Sequence, residues 1–194
     1  MIYTFKNMLF NDKVYAYSDP IDPVYGSAEK CRVCGGFTSS LEWIGEKYVK
    51  FSKKTVGDFT FGSCFPFLLS ERAFLLIRDS VKGILGFREV HDKTNRRFYC
   101  PKIETCVARI DEEKSGFIRA KSDLAVCSSC GIGATIKHYD KIVIDEIQMQ
   151  DICILGNLPG TTLFNENLLQ LVRDNKLTNV EEIEITKYKC PWGQ

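Results

Sequence analysis

Two short cysteine motifs place pairs of thiols on tight turns, an arrangement suited to metal binding. They are Cys31-Arg32-Val33-Cys34-Gly35, the first knuckle, and Cys127-Ser128-Ser129-Cys130-Gly131, the second knuckle. The glycine after each pair permits the positive φ that such a turn usually requires. Four thiolates complete the tetrahedral shell of a structural zinc ion and leave no open position for catalysis. The sequence therefore predicts one structural Zn2+ with the ligands Cys31, Cys34, Cys127 and Cys130.

The spacing between the knuckles is much longer than in a compact zinc ribbon, where the second pair follows within about 20 residues. One shared ion would therefore tie together two distant parts of the chain. Two other interpretations of the knuckles are redox dithiols and unligated thiols. A further alternative is two separate metal sites, each completed by another cysteine or a histidine. The cysteines available for this are Cys64, Cys100 and Cys106.

The composition limits the class of protein. The chain has 194 residues, of which 44% are hydrophobic, and a formal net charge of +1. This content suits one large domain or two small ones with a real core. A charge so close to zero predicts no general electrostatic attraction to nucleic acid or to an anionic membrane.

The remaining cysteines and the N-terminus indicate a location. Cys106 and Cys153 lie among apolar or β-prone neighbours, where free cysteine behaves as a small buried hydrophobe. The first residues lack the layout of a signal peptide, and no apolar run approaches the roughly 20 residues that cross a bilayer. We therefore expect a reducing cytoplasm and no membrane partner.

An internal repeat follows the two knuckles. Residues Asp58-Phe59-Thr60-Phe61 match Asp151-Ile152-Cys153-Ile154, and Leu68-Leu69-Ser70-Glu71 match Leu163-Phe164-Asn165-Glu166. A repeat of this kind decides the fold class, so it takes precedence over local patterns. Each copy reads as knuckle, strands, short helix and strand.

The fold class follows from this repeat. We predict a single zinc-stabilised α+β domain over residues 1–194. Its pseudo-repeated halves lie at about 30–90 and 126–185, each with a few strands and one short helix, and the four-cysteine zinc site ties them together. Ser70 and Asn165 are suitable N-caps for the helices, and apolar residues at i, i+1, i+3 and i+4 follow each cap, as in a helix that faces a core.

Strand and loop signals cover most of the rest of the chain. Alternating and β-branched residues favour strands within 3–17, 42–51, 98–110 and 136–147. Proline, glycine and charged residues favour loops at 19–23, 91–97 and 111–116.

The residues that could perform catalysis are few. The only histidines are His91 and His138, and we expect both at the surface. Glu71 and Glu166 hold equivalent places in the repeat and could be a carboxylate pair, but a position beside a helix start explains them equally well. The sequence has no phosphate-binding glycine loop and no recognisable nucleophile motif. We therefore expect a protein without enzymatic activity.

Binding of a macromolecule is the remaining class of function. A basic cluster with Phe98 and Tyr99 interleaved could hold a nucleic-acid backbone and stack bases, or form a solvated hairpin loop; its members are Lys93, Arg96, Arg97 and Lys102. Exposed aromatic residues could instead anchor a protein partner. The candidates in polar contexts are Tyr15, Tyr17, Trp43, Tyr48 and Trp192.

Together these motifs resemble the double-CXXCG motif proteins, a group related to immunity proteins of bacterial polymorphic toxin systems, including partners of Sit-type toxins of myxobacteria. The resemblance rests on both knuckles, on Leu69-Ser70-Glu71-Arg72 and on Gly156-Asn157-Leu158-Pro159-Gly160-Thr161, within roughly residues 30–185. In the second copy, Asn165 stands where a Ser-Glu pair is the expected form. The resemblance implies a zinc-stabilised α+β protein that binds and neutralises a cognate toxin and performs no chemistry. The alternatives are a zinc-ribbon nucleic-acid-binding or regulatory protein, and a redox sensor that uses the spare cysteines.

Overall fold

The structure is a computed structural model that describes residues 1–6, 14–39, 41–63, 66–120, 125–158 and 160–190. Three residues named in the sequence predictions lie outside these ranges. They are Cys64, Pro159 and Trp192.

Short strands make up most of the regular structure. They are β1 Tyr3–Phe5, β2 Ser18–Ile21, β3 Val24–Tyr25, β4 Trp43–Ile44, β5 Tyr48–Phe51, β6 Phe59–Thr60, β7 Leu68–Leu69, β8 Ile84–Asp92, β9 Arg97–Ile103, β10 Thr105–Cys106, β11 Ala108–Ile110, β12 Ile118–Arg119, β13 Ile136–His138, β14 Ile144–Ile147, β15 Ile152–Leu155, β16 Thr162–Phe164 and β17 Glu182–Glu184. The helices are α1 Glu71–Ile77, α2 Glu112–Ser115 and α3 Glu166–Asp174, and a 3-10 turn follows at Ile185–Lys187.

Two main sheets organise these strands. The six-stranded sheet has the order β2-β5-β8-β9-β7-β6, and the five-stranded sheet has the order β10-β15-β16-β1-β17. Three two-stranded ladders, β3–β4, β11–β14 and β12–β13, complete the pairing among the described residues. The fold is therefore mixed α+β, as the sequence predicts. Each sheet also takes strands from outside the predicted halves, since β2 and β9 lie beyond 30–90, and β1 and β10 lie beyond 126–185.

The two matched segments of the sequence form the same hairpin twice. In the six-stranded sheet Phe59 pairs with Leu69 and Thr60 with Leu68. In the five-stranded sheet Ile152 pairs with Phe164 and Cys153 with Leu163. Each pair joins the positions that the sequence alignment equates, so the similarity in sequence corresponds to the same strand register.

The helix that follows each hairpin begins at the predicted residue. The Ser70 Oγ accepts a hydrogen bond from the Ala73 amide at 3.2 Å, and the Asn165 Oδ1 accepts one from the Asn167 amide at 3.0 Å. Each bond satisfies an amide that a helix start leaves free. The buried faces of α1 and α3 then pack into one core with β1, which both halves share. Phe5 of β1 lies at the centre of this core, with ring centroids 4.7–5.9 Å from those of Phe59, Phe61, Phe67 and Phe164.

A pair of buried aspartates links each half to the other. The Asp58 carboxylate accepts from the Ser70 hydroxyl at 2.8 Å in its own half, and from the Thr178 amide and hydroxyl beyond α3, both at 3.0 Å. The equivalent Asp151 accepts from the Asn165 side-chain amide at 3.0 Å and from the Lys82 amide beyond α1 at 2.8 Å. Each aspartate therefore joins the start of one helix to the exit of the other.

The structure corrects several local predictions. Residues 111–116, expected to be a loop, contain the one-turn helix α2, because Asp111 caps its start and Gly116 ends it at a φ of 68°. This is also a third helix, where one in each half was predicted. Residues 19–23 were expected to be a loop, but Asp19, Pro20 and Ile21 belong to β2, where Pro20 is accommodated because β2 is an edge strand.

Three predicted strand regions are interrupted. The region 42–51 divides into β4 and β5 because Gly45 has a φ of 76°. The region 98–110 contains β9, β10 and β11, which pair with different partners. The region 136–147 divides into β13 and β14, and Ile142 between them is fully buried without being in a strand. The prediction for 3–17 holds for β1, and residues 7–13 lie outside the described ranges.

Candidate metal centre

The four predicted cysteines come together in the structure. Their sulfur atoms all lie within 4.8 Å of one another. The Sγ atoms of Cys31 and Cys127 are 3.9 Å apart, and those of Cys34 and Cys130 are 3.6 Å apart. Ligands at about 2.3 Å from a tetrahedral zinc ion lie about 3.8 Å from one another. The cluster therefore has the dimensions to hold a metal ion such as zinc, and it bridges the two halves.

Both knuckles fold into the same turn. The Gly35 amide donates to the Cys31 carbonyl at 2.9 Å, and the Gly131 amide donates to the Cys127 carbonyl at 2.8 Å. The two glycines have φ values of 74° and 68°, in the left-handed region where a side chain is disfavoured. The turn places both sulfurs of each knuckle on one side.

Local amides favour the thiolate form of two of the four cysteines. The backbone amides of Cys34 and Val33 lower the pKa of Cys31 to about 6. Those of Cys130 and Ser129 lower the pKa of Cys127. In contrast, burial raises the pKa of the Cys130 thiol to about 12. Metal ligands must be deprotonated, so a bound cation would supply the charge that Cys130 needs in order to ionise.

A loop in the second half positions the knuckles against each other. The Asn157 side chain pairs with the backbone of Ala108, donating to its carbonyl at 2.7 Å and accepting from its amide at 3.2 Å. A Cβ at Gly131 would lie 2.9 Å from the Asn157 Nδ2, and a Cβ at Gly156 would lie 3.2 Å from the Thr38 carbonyl oxygen. The loop beginning at Gly156 therefore contacts the second knuckle and the residues that follow the first. The sequence analysis identified this segment but did not predict that it lies between the two knuckles.

The two knuckle glycines give a matched test of this packing. Alanine at either position takes the same unfavourable φ, which costs about 1–2 kcal/mol. A Cβ at Gly35 meets no atom within 4 Å, whereas one at Gly131 collides with Asn157. We expect Gly131→Ala to lower the free energy of unfolding by at least about 1 kcal/mol more than Gly35→Ala, as measured by urea denaturation. Equal losses in the two variants would contradict the proposed contact.

Two cysteines outside the knuckles are bonded to each other. Cys106 of β10 and Cys153 of β15 form a disulfide with a Cα–Cα distance of 6.0 Å, between strands that pair in parallel. Both are buried, as the sequence predicts, but the prediction that they are free thiols is wrong.

The other cysteines that the structure describes lie apart from the cluster. No additional histidine, cysteine or acidic ligand joins the four sulfurs among the described residues. Cys100 is on β9, and burial raises the pKa of its thiol to about 12, which is the opposite of a reactive redox thiol. Cys106 is bonded to Cys153, and neither Cys100 nor Cys106 lies in a second group of possible metal ligands among the described residues. The structure therefore favours one shared four-cysteine set over two separate sites.

Two of the four members of the basic cluster, Arg96 and Arg97, form ion pairs. The Arg96 guanidinium bonds to the buried Asp92 at 2.7 Å and lies over the rings of Phe51 and Phe98, 5.7 and 5.8 Å from their centroids. The Arg97 guanidinium bonds to Glu71 at 2.9 Å. These contacts reduce the positive charge available to a nucleic-acid backbone.

The remaining candidates are distributed over the surface. His91 lies 3.1 Å from Glu89 and His138 lies 3.1 Å from Asp140, and both rings are partly exposed. Glu71 and Glu166 follow the caps of α1 and α3, as expected for helix starts.

The aromatic residues proposed as interface anchors divide into two groups. Tyr17 and Tyr48 are exposed, with 37% and 41% of their surface accessible, and Tyr15 is half-buried. Trp43 is 6% exposed and belongs to the core beside Val90 and Phe98, so its predicted exposure is wrong. The charged residues Glu42 and Glu46 near it in the sequence gave no indication that Trp43 packs against the six-stranded sheet.

Comparison with known proteins does not assign a family. No protein-family model matches this chain, and no curated protein matches it. The resemblance to the double-CXXCG motif proteins therefore rests on the motifs themselves and on the four-cysteine cluster. No helix within the described ranges is long and apolar enough to cross a membrane.

Proposed function

We propose that this protein is a zinc-stabilised binding protein that neutralises a cognate bacterial toxin by direct contact and performs no chemistry. The observation that carries the proposal is the four-cysteine cluster, whose sulfur distances suit one zinc ion and whose ligands come in pairs from the two halves. With all four positions filled by sulfur, zinc has no site for substrate or water. Its contribution is to folding, because the ligands meet only in the folded chain.

The toxin partner is inferred from the resemblance of the motifs. A protein of this kind would act where the toxin acts, and we propose the cytoplasm. There the Cys106–Cys153 bond would be reduced to two thiols packed in the core. Exposed aromatic residues such as Tyr48 would supply apolar contacts to the toxin, with charged residues around them.

A nucleic-acid partner has less support. The ion pairs of Arg96 with Asp92 and of Arg97 with Glu71 offset two of the four positive charges on which that alternative depends. Binding through released counterions needs several lysines or arginines that are free to contact phosphates.

Affinity capture tests this proposal. The tagged protein is recovered from nuclease-treated lysate of its native host under conditions in which toxins are expressed, and co-eluting proteins are identified by mass spectrometry. We expect a large polymorphic toxin or its C-terminal fragment in stoichiometric amount, and coexpression should protect cells from that fragment. Recovery of nucleic acid without a protein partner, when nuclease is omitted, would contradict the proposal.

A further inference from the structure

Strand β8 has one side that is paired for only part of its length. It pairs with β9 from Ile84 to His91, but on its other side it pairs with β5 only at His91 and Asp92. No ladder among the described residues continues along residues 84–90 on that side. At about 3.3 Å per residue this leaves an open edge roughly 20 Å long.

The orientation of the backbone along this edge follows from one hydrogen bond. The His91 amide donates to the Lys47 carbonyl at 2.8 Å, toward β5 and away from β9. Backbone groups alternate in direction along a strand, so the amides of Glu89 and Phe87 point to the same open side. The register agrees, because Phe87 lies opposite Pro101, which has no N–H to donate across the β8–β9 ladder.

The open edge begins where β5 is prevented from continuing. Gly45, with a φ of 76°, turns the chain away just before β5. Among the described residues, no strand therefore pairs with β8 on this side beyond its two pairs with β5.

A cavity of about 530 Å³ borders this edge, within the range that accommodates side chains or small ligands. Its lining includes Leu85 and Arg88 of β8, Lys102 of β9, and Leu41 and Trp43 from the segment after the first knuckle. Leu41 and Leu85 are 50% and 64% exposed. An open strand edge and two accessible leucines therefore lie together.

The far wall of the cavity is held in place. The Arg88 Nη1 donates to the Trp43 carbonyl at 2.7 Å, and the same guanidinium pairs with Glu42. These bonds join β8 to the segment that carries Leu41. The cavity is therefore already formed in the free protein. Little conformational entropy is lost when a ligand fills it, which favours binding.

We propose that an extended segment of the partner protein binds along residues 84–89 of β8 and adds a strand to the six-stranded sheet. The free amides of Phe87 and Glu89 would bond to its backbone, and an apolar side chain would enter the cavity beside Leu41 and Leu85. Strand addition of this type draws affinity from main-chain bonds and specificity from alternate side chains. A second copy of this chain is the less suitable occupant, because it would bring its own segment 41–47 along with its edge. The inference rests on the proposed function, since it names the contact surface.

Two variants at Glu89 test whether the open edge of β8 binds a peptide backbone. Glu89→Pro removes one outward N–H, a change that edge strands tolerate, whereas Glu89→Ala removes the same carboxylate and keeps the N–H. Leu85→Asp changes the cavity and leaves the backbone intact. The probe is a phage-displayed library of random linear 12-residue peptides, panned against the full-length protein and followed by affinity measurement with synthetic copies.

We expect peptides that bind the wild type and Glu89→Ala alike, and bind Glu89→Pro and Leu85→Asp at least about tenfold more weakly, as expected for lost hydrogen bonds and apolar contact. Equal affinity for the proline and alanine variants would overturn the inference. So would a library without binders, or a concentration-dependent dimer that Glu89→Pro abolishes. If melting shows that Glu89→Pro is unfolded, Leu85→Asp decides.

The same variants separate this inference from the proposed function. Glu89→Pro and Glu89→Ala are used as baits in the toxin capture. A toxin retained by both would support the proposed function and overturn this surface. Wild type that captures no toxin would contradict the proposed function, while peptide binding that is weakened in Glu89→Pro but not in Glu89→Ala would still support the edge.

Discussion

Replacement of Cys130 by serine is expected to lower the melting temperature by roughly 20–40 °C or to leave the protein aggregated. Structural zinc contributes on the order of 10 kcal/mol of binding free energy in small zinc domains, and each kcal/mol corresponds to about 2–4 °C in a chain of this size. Serine cannot replace the thiolate, and the remaining three sulfurs bind the ion too weakly to retain it. The measurement is thermal unfolding followed by circular dichroism at fixed pH and protein concentration.

Cys190→Ser is the matched control. Cys130 and Cys190 are buried to nearly the same extent, at 4% and 5% exposure, but only Cys130 belongs to the sulfur cluster. The control should lose only what a buried thiol-to-hydroxyl change costs, about 1–3 kcal/mol. A chelator should destabilise the wild type and the control, and should change Cys130→Ser little. Similar melting temperatures for the two variants would show that the cluster holds no stabilising ion.

The second large effect is expected from Asp58→Asn. The carboxylate accepts hydrogen bonds from Ser70, Arg72 and Thr178. The side-chain NH2 of an asparagine is a donor, so it would face at least one of these donors and lose that hydrogen bond. A bond to a charged group contributes about 1.5–3 kcal/mol, so we expect a loss of roughly 3 kcal/mol in the free energy of unfolding. Urea denaturation measures it. The control is Asp79→Asn, whose carboxylate is 75% exposed, and a loss no greater than in the control would contradict the link between the halves.

The same carboxylate predicts a dependence on pH. Burial opposes its charged form, but the bonds from Thr178 and Ser70 and the charge of Arg72 outweigh burial and lower its pKa. A depressed folded-state pKa contributes stability above the unfolded-state value of about 3.9, and this stability is lost as pH falls through the folded-state value. The pKa of Asp151 is lowered in the same way. Bonds from Arg96 and Thr94 likewise lower the pKa of Asp92 to about 2 despite its burial. The wild type should therefore lose stability between about pH 4 and pH 2, and Asp58→Asn should show a smaller loss.

The features that sequence predicted well are local. A knuckle needs only two thiols and a glycine within five residues, so the four cysteines that come together could be named from their motifs. The caps Ser70 and Asn165 likewise act within one turn of helix. The internal repeat made the two hairpins recognisable as equivalent, because equivalent residues pair with equivalent partners.

The features that sequence did not predict depend on contacts between distant segments. The Cys106–Cys153 bond requires the parallel pairing of β10 with β15, which no local pattern signals. The link from Asp58 to Thr178 joins residues 120 positions apart, and the burial of Trp43 depends on packing against β8 and β9. The short helix α2 was missed for a different reason, because its cap Asp111 and its final Gly116 are also the residues that mark a loop.

Native mass spectrometry of the intact protein, purified without added metal or chelator, tests the central claim most directly. The proposed shared centre predicts one zinc ion per chain, and Cys31→Ser and Cys127→Ser should each abolish it, since each knuckle supplies half of the ligands. Two ions per chain, or zinc retained in either variant, would contradict a single shared site. A metal-free wild type would contradict the zinc centre altogether.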